Sequence, residues 1–395
     1  MLGFFNRWLH IFLPLLILAF GLGLRWVDPG PIEQLRLTVF DTYNQLSPRP
    51  YLPPPVSAAA ALETQKRGQK CIEDGWDPNV AAAGGYRAGF FDRLTGLSEE
   101  QQALQSCNLL LKSAPVRIVD IDDDSLERLC QWTWSRATIA VLVHRLMQAG
   151  AGVVGFDAVF AEPDRRAPEN ILPTWAASGL PEVAALKTKM DQLPNPDAVL
   201  ASLLAQDGVR VVTGFVLNND RMPRRPVENG RFAHGGDHPA LFVPRYPGAV
   251  ANLTEIEKAA QGNGSFNMVP DRDGIVRRVP TIVALLENAA DGELPPTLYP
   301  SLHQEALRVF QGASTLIAKA SGASGVQSFG EQTGLSELRN GRVTIKTDAS
   351  GMVVMHQADK TPDRYVSAWK VFEDGFDPTP VAGHIVLVGP SAAGL

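Results

Sequence analysis

The spacing of apolar positions changes several times along this chain, and each change marks an element. From Ile11 to Leu24 no residue is charged or strongly polar. After Asp28-Pro29, a helix start, Ile32, Leu35, Val39, Phe40, Tyr43 and Leu46 recur at steps of three and four, the period of an amphipathic helix. Pro48, Pro50 and Pro53 to Pro55 end it, because proline lacks an amide donor and fixes φ. Residues 57–113 break the pattern with a polar helical stretch, a loop at Gly84-Gly85 and a capping box, Ser98-Glu-Glu-Gln101. From Val116 the text becomes α/β. Val116 to Ile121, Gly152 to Phe156, Val209 to Val216 and Ile385 to Val388 are continuous apolar runs, as expected of strands covered on both faces. Between the first two, Ser135 to Ala149 reads as a helix with Ile139, Leu142, Val143, Leu146 and Met147 on one side and Gly150 as its stop. The unit predicts a βαβ crossover with a parallel, neighbouring strand pair. Two hairpins are expected, Phe266–Val269 with Ile275–Leu286 around Asp271-Arg-Asp-Gly274, and Val343–Thr347 with Met352–His356 around Asp348-Ala-Ser-Gly351. The predicted fold class is α/β: a mainly parallel sheet covered by helices, with antiparallel hairpin additions, preceded by one N-terminal transmembrane helix.

Trp8 and Trp26 bracket the first apolar run and stand 18 residues apart (26 − 8). A helix of that length spans about 27 Å, near the bilayer core of about 30 Å. Indole rings favour the headgroup level, and Arg7 on the short side places the N-terminus in the cytoplasm. A cleaved signal peptide is the rival reading, although Ala19, Gly21 and Gly23 make a weak cleavage site. Both readings export everything after Val27. The expected organisation is a cytoplasmic tip and signal anchor at 1–27, a juxtamembrane helix and Pro-rich turn at 28–56, an insertion at 57–113 and an α/β core at 114–395. The bilayer is the first expected partner.

The net charge of −6 and the lack of any basic run argue against nucleic-acid binding. Cys71 and Cys107 fall in the insertion and Cys130 in the core. Outside the cytoplasm Cys71–Cys107 is a candidate disulfide, with buried free thiols as the alternative. The spacing is not a metal pattern.

Candidate chemistry sits after the strands. The first runs into Asp120, Asp122, Asp123, Asp124 and Ser125; the second into Asp157, with Glu162 and Asp164 behind it. Open α/β sheets bind ligands beyond the carboxyl ends of their strands, so Asp122, Ser125 and Asp157 are candidate ligand residues. Asp122 and Asp157 are also a weak candidate pair for Mg²⁺ or Ca²⁺, which take oxygen ligands; no other cofactor is expected. The competing reading is structural, since Asp and Ser cap helices. Asp120-Ile-Asp122 resembles the nucleophile motif of haloacid-dehalogenase-like phosphatases, in which one carboxylate attacks and the other serves as acid and base. Asp124 departs from that pattern, and an exported metal-dependent hydrolase using Asp120 and Asp122 stays as the alternative function. Gly389-Pro-Ser391 lacks the second glycine of a nucleophile elbow, and Gly322 to Gly325 lacks the Lys-Ser/Thr of a phosphate loop. His234 and His238 lie four apart in a Gly/Pro loop.

A set of short motifs then occurs in order: Val39-Phe-Asp41 with Ser47-Pro-Arg-Pro50, Val119-Asp-Ile-Asp122-Asp-Asp-Ser125-Leu126, Trp132-Thr-Trp134-Ser-Arg136, Val154-Gly-Phe-Asp157-Ala-Val-Phe160, Pro270-Asp-Arg-Asp-Gly274 through Arg277-Arg278-Val-Pro280, Tyr299-Pro-Ser-Leu302, Tyr365-Val-Ser367-Ala368 and Ile385-Val-Leu-Val-Gly389. In these the chain resembles the type-two CHASE domain, a sensory extracellular module of cyclases and histidine kinases. Thr133 stands where that family often has proline, Cys130 near a usual glycine, and the 57–113 segment is longer than usual. The resemblance implies the N-terminal part of a bacterial inner-membrane receptor. Its body would lie in the periplasm or extracellular space and it would bind a small molecule of unspecified identity. It would work as a homodimer and signal to an adenylate or guanylate cyclase or kinase. Trp134 and Arg136 join the candidate ligand residues on this basis, and no residue of the chain is expected to be catalytic. Trp132 and Trp134 also suit a core, and Arg277 and Arg278 suit pairing with local carboxylates.

Overall fold

The computed structural model describes residues 116–177, 192–220, 224–286, 296–355 and 364–392, with isolated positions at 37–39, 41, 183 and 189–190. The strands are β1 (Val116–Ile121), β2 (Val153–Phe156), β3 (Val211–Asn218), β4 (Arg231–Gly235), β5 (Arg245–Tyr246), β6 (Gly248–Val250), β7 (Gly262–Ser265) and β8 (Arg278–Pro280). They continue with β9 (Ile282–Leu285), β10 (Thr297–Pro300), β11 (Thr315–Ala320), β12 (Leu335–Asn340), β13 (Val343–Lys346), β14 (Met352–Val354), β15 (Tyr365–Ser367) and β16 (Ile385–Pro390). The helices described are α1 (Asp123–Leu129), α2 (Arg136–Gln148), α3 (Pro168–Ala176), α4 (Pro196–Leu204), α5 (Thr254–Ala259) and α6 (Leu302–Phe310).

The central sheet runs β15-β1-β16-β2-β3-β6, with β7 also on β3. All its pairings are parallel except β3 with β6. One face carries Val119, Ile121, Val154, Phe156, Val386 and Val388 into a core shared with Ile139, Leu142 and Leu146 of α2, Leu200 and Leu204 of α4 and Ile256 of α5. The opposite face packs Val153 and Val212 against Leu302, Ala306 and Val309 of α6. That helix lies close enough that a Cβ on Gly264 would meet the backbone of Leu302 at 2.7 Å, so glycine is required there. α2 starts at Ser135, whose side chain accepts from the amide of Ala137, and Gly150 follows its end at φ +83°, as the sequence predicts.

Two expectations are corrected. β1 and β2 are parallel members of one sheet but not neighbours: β16 lies between them, with Val116 opposite Ile385 and Ile385 opposite Val153. A right-handed crossover fixes direction and handedness but leaves room for a later strand, and the apolar Ile385–Val388 run takes the doubly covered position. The two hairpins are likewise absent, although both turns form. Asp271 and Asp348 donate their amides to the carbonyls of Ile275 and Met352, and Gly274 and Gly351 supply φ of +81° and +73°. The strands after the turns pair with each other instead, β8 with β14, Arg278 opposite Val354. Arg278 joins the two turns, reaching Asp271 at 2.7 Å and Asp348 at 3.2 Å. Arg277, buried, pairs with Asp271 and Asp273, so both arginines serve local carboxylates. β12 and β13 form a tight hairpin, Asn340 opposite Val343, whose two-residue turn is Gly341-Arg342 with Gly341 at φ +58°, where glycine supplies the positive φ such turns need.

Among the described residues no helix is long and apolar enough to cross a membrane. The segment Ile11–Leu24, the insertion 57–113 and the Cys71–Cys107 pair lie outside the described residues.

Candidate functional site

The carboxyl ends of β1, β16 and β2 form the rim to which the sequence assigns the ligand. Parallel register places Asp120 opposite Gly389 on one side, and on the other the amide of Asp157 donates to the carbonyl of Val388 at 2.9 Å. Registered neighbours in a parallel sheet share a face. Asp120 and Asp157 therefore flank Gly389, and a Cβ there would stand 3.2 Å from the Cβ of Asp157. The hydroxyl of Ser391 donates to one Asp120 oxygen at 2.7 Å; the other is buried without a hydrogen-bond partner among the described residues. The Asp157 side chain reaches solvent, has no hydrogen bond among the described residues, and the burial of its carboxyl against the strand ends raises its pKa.

Asp122 is differently placed. It is the N-cap of α1, accepting at one oxygen from the amide (2.9 Å) and hydroxyl (2.6 Å) of Ser125. Its second oxygen accepts from the hydroxyl of Ser367. Ser125 is fully buried and its hydroxyl also accepts from the amide of Trp369 at 3.2 Å. Partial burial alone would raise the Asp122 carboxyl, but the bonds from Ser125 and Ser367 outweigh it and hold the pKa below the usual carboxylate value. Asp122 and Ser125 thus come together as a staple between the end of β1 and the turn after β15. Asp122 and Asp157 do not come together, because β16 separates their strands. The two side chains of Asp120 and Asp122 are directed to different hydroxyls, Ser391 and Ser367 with Ser125.

Arg136 belongs to a second cluster. Its Nε lies 3.4 Å from Asp197, its Nη2 donates to the carbonyl of Glu162 at 3.1 Å, and its guanidinium sits over the Phe160 ring. Asp164, 3% exposed, accepts from the hydroxyl of Ser135 (2.8 Å) and the amides of Arg136 (2.6 Å) and Arg166 (2.8 Å), and its own amide donates to Asp197. Burial raises the Asp197 carboxyl, with the Asp164 amide and Arg136 opposing it. Trp134 is 1% exposed within the main core, its indole donating to the carbonyl of Cys130 at 2.8 Å and meeting Trp132 and Phe372 edge to face. Asp197 and Ser367 were not singled out as site residues by sequence. Asn195-Pro196-Asp197, a cap followed by proline at the first helical position, was the available signal for the start of α4.

Elsewhere, the rings of His234 and His238 lie 5.0 Å apart, and His238 Nδ1 accepts from the amide of Ala240, which leaves the ring proton on Nε2. Cys130 is an exposed free thiol. Among the described residues no group of three or more His, Cys, Asp or Glu side chains is placed to hold a metal ion. A groove of about 580 Å³ lies between α2 and α4, lined by Ala137, Val141, His144, Ala198 and Gln206, not at the rim.

A doubly covered, mainly parallel sheet with a polar strand-end rim defines the domain as α/β. The chain matches the model of the CHASE2 domain over residues 82–395 and belongs to that family of extracellular sensory domains. No curated protein and no solved structure matches it.

Proposed function

We propose that the chain is the extracytoplasmic sensor of a membrane receptor, anchored in the inner membrane by the segment Ile11–Leu24 and signalling to a cyclase or kinase output. The observation that carries this reading is membership of the CHASE2 family over residues 82–395, joined to an apolar, Trp-bracketed run with Arg7 on its short side. In the receptor the domain works as a homodimer. Its small-molecule ligand sits over the ends of β1, β16 and β2, where the Asp157 carboxylate meets solvent beside Gly389 and Asp120. The rim's candidate cation holders, for Mg²⁺ or Ca²⁺, are Asp157 with Asp120 in place of Asp122, whose two oxygens already accept hydroxyl and amide donors.

Reporter fusions after Val56 test the topology. Alkaline phosphatase joined there is expected to be active, and a fluorescent protein that matures only in the cytoplasm to stay dark. A bright cytoplasmic reporter with inactive phosphatase overturns the reading.

A further inference from the structure

The solvent face of the four-stranded sheet carries a charge that the ligand reading does not use. Strands β13, β12, β11 and β4 lie side by side in that order. Side chains alternate across a sheet, and one face sends Leu316, Ala318 and Leu338 into a core with Ile282 and Ala284. Register assembles the other face. Lys319, Glu337 and Lys346 form one row, Ile317 and Arg339 the next, and Arg231 lies opposite Thr315. Arg231, Lys319, Arg339 and Lys346 are exposed. Lys319 and Lys346 share Glu337, the only acidic side chain on this face among the described residues. Arg339 donates from Nε to the carbonyl of Gly341 at 3.2 Å, and neither it nor Arg231 has a carboxylate partner among the described residues. Four cations against one carboxylate leave the face at +3 (4 − 1), on a chain whose net charge is −6. Two further carboxylates, Asp237 after β4 and Glu331 in the β11–β12 loop, lie beyond the strand ends. Among the cations stands Ile317, 39% exposed, and the β11–β12 loop carries Phe329, 68% exposed.

We propose that this face docks on the anionic surface of the bilayer, with Arg231, Lys319, Arg339 and Lys346 against lipid headgroups. The proposal rests on the anchored-receptor reading, because the anchor is what holds a bilayer at high effective concentration. Anionic headgroups repel a chain of net negative charge and attract its cationic face, so the field turns this side toward the membrane. Each Lys or Arg near such a surface adds to the attraction, and apolar side chains among cations suit the boundary between headgroups and acyl chains. A flat sheet face offers a small anion no enclosing cleft, whereas a charged plane matches it. Docking fixes which way the domain sits above the bilayer.

Lysine acetylation of the full chain, read by mass spectrometry, tests the face in nanodiscs of phosphatidylcholine alone or with about 30% phosphatidylglycerol. Lys319 and Lys346 are expected to react about fivefold or more slowly in the anionic discs, with exposed Lys258 of α5 unchanged. Salt at about 0.5 M should erase the protection, and so should Arg231→Glu combined with Arg339→Glu. Equal rates in the two discs overturn the proposal, whether both lysines are open or a second copy covers them in both. Protection by a soluble polyanion such as heparin, without protection by anionic lipid, overturns it as well. A chain that fails to enter even the zwitterionic discs refutes the anchor instead, and flotation then decides the face. Salt-sensitive flotation with anionic vesicles, lost in the double variant, supports docking; no flotation overturns it.

Discussion

After β1 the chain turns at once into α1; after β2 it runs through a loop from Asp157 to Ala167 before α3 begins. That difference determines what the acidic residue beyond each strand does. Ser125 stands three residues beyond Asp122 and supplies both an amide and a hydroxyl, so this carboxylate is capped, stapled to Ser367 and shifted to lower pKa. Asp157 is followed by Ala-Val-Phe, receives no hydrogen bond among the described residues, and is shifted to higher pKa by burial. The β2 loop does supply a capping carboxylate, but later: Asp164 reaches back to the start of α2. An aspartate after a parallel strand is therefore committed to structure or left free by the few residues that follow it.

The largest effect belongs to Asp164. Replacing it with alanine strips acceptors from Ser135, Arg136 and Arg166 in a buried place and removes a negative charge facing Arg136. Asp164→Ala is expected to cost about 3 kcal/mol or more in chemical denaturation, with Asp164→Asn in between. A loss below about 1 kcal/mol would mean the loop does not carry the cap described.

Asp122 comes next. Asp122→Ala is expected to cost about 1 to 2 kcal/mol through the lost cap and the lost Ser367 bond. Asp122→Asn keeps a capping oxygen and should cost about 1 kcal/mol or less. The pH dependence follows from the lowered carboxyl. Its contribution is present above the ordinary carboxylate value of about 3.9 and disappears as pH falls through the folded value. Denaturation curves from neutral to strongly acidic pH should show wild type losing more stability than Asp122→Asn in that window. Parallel curves would mean the serines do not favour the ionised form.

Much of this arrangement was legible in the sequence, and its gaps have a physical pattern. Local signals succeeded: the apolar runs of β1, β2, β3 and β16, the Ser135 cap and Gly150 stop of α2, and the positive-φ glycines of the Asp271 and Asp348 turns. Long-range pairing failed. Nothing near Val116 or Val153 indicates that Ile385–Val388 will part them, and a tight turn does not oblige its flanks to pair when β8 and β14 find each other through Arg278. The candidate site was half legible for the same reason. Asp122 with Ser125 is a local motif, and the capping alternative follows from its spacing. Ser367 and Gly389 come from strands, and Ser391 from the residue after one, more than 200 positions away, and only the sheet order shows which aspartate stays open to solvent.

Asp157 should show the smallest change in stability and the clearest change in binding. Asparagine has nearly the shape of aspartate, so it fits beside Gly389 where a bulkier group would crowd the β16 backbone. Burial already disfavours the ionised carboxyl, so removing its charge relieves that cost. The folded state holds this proton more tightly than the unfolded chain, and the penalty for ionisation appears as pH rises above the ordinary carboxylate range. Asp157→Asn is therefore expected to melt at the wild-type temperature or slightly above it near neutral pH, with no gain at acidic pH. If the rim takes a divalent cation, Mg²⁺ or Ca²⁺ should raise the melting temperature of wild type and leave Asp157→Asn unmoved. Wild type indifferent to both ions removes the cation and leaves an organic ligand as the occupant to seek. A loss of stability as large as that of Asp122→Ala would mean Asp157 has a hidden structural bond, and the contrast between the two strand ends would fall.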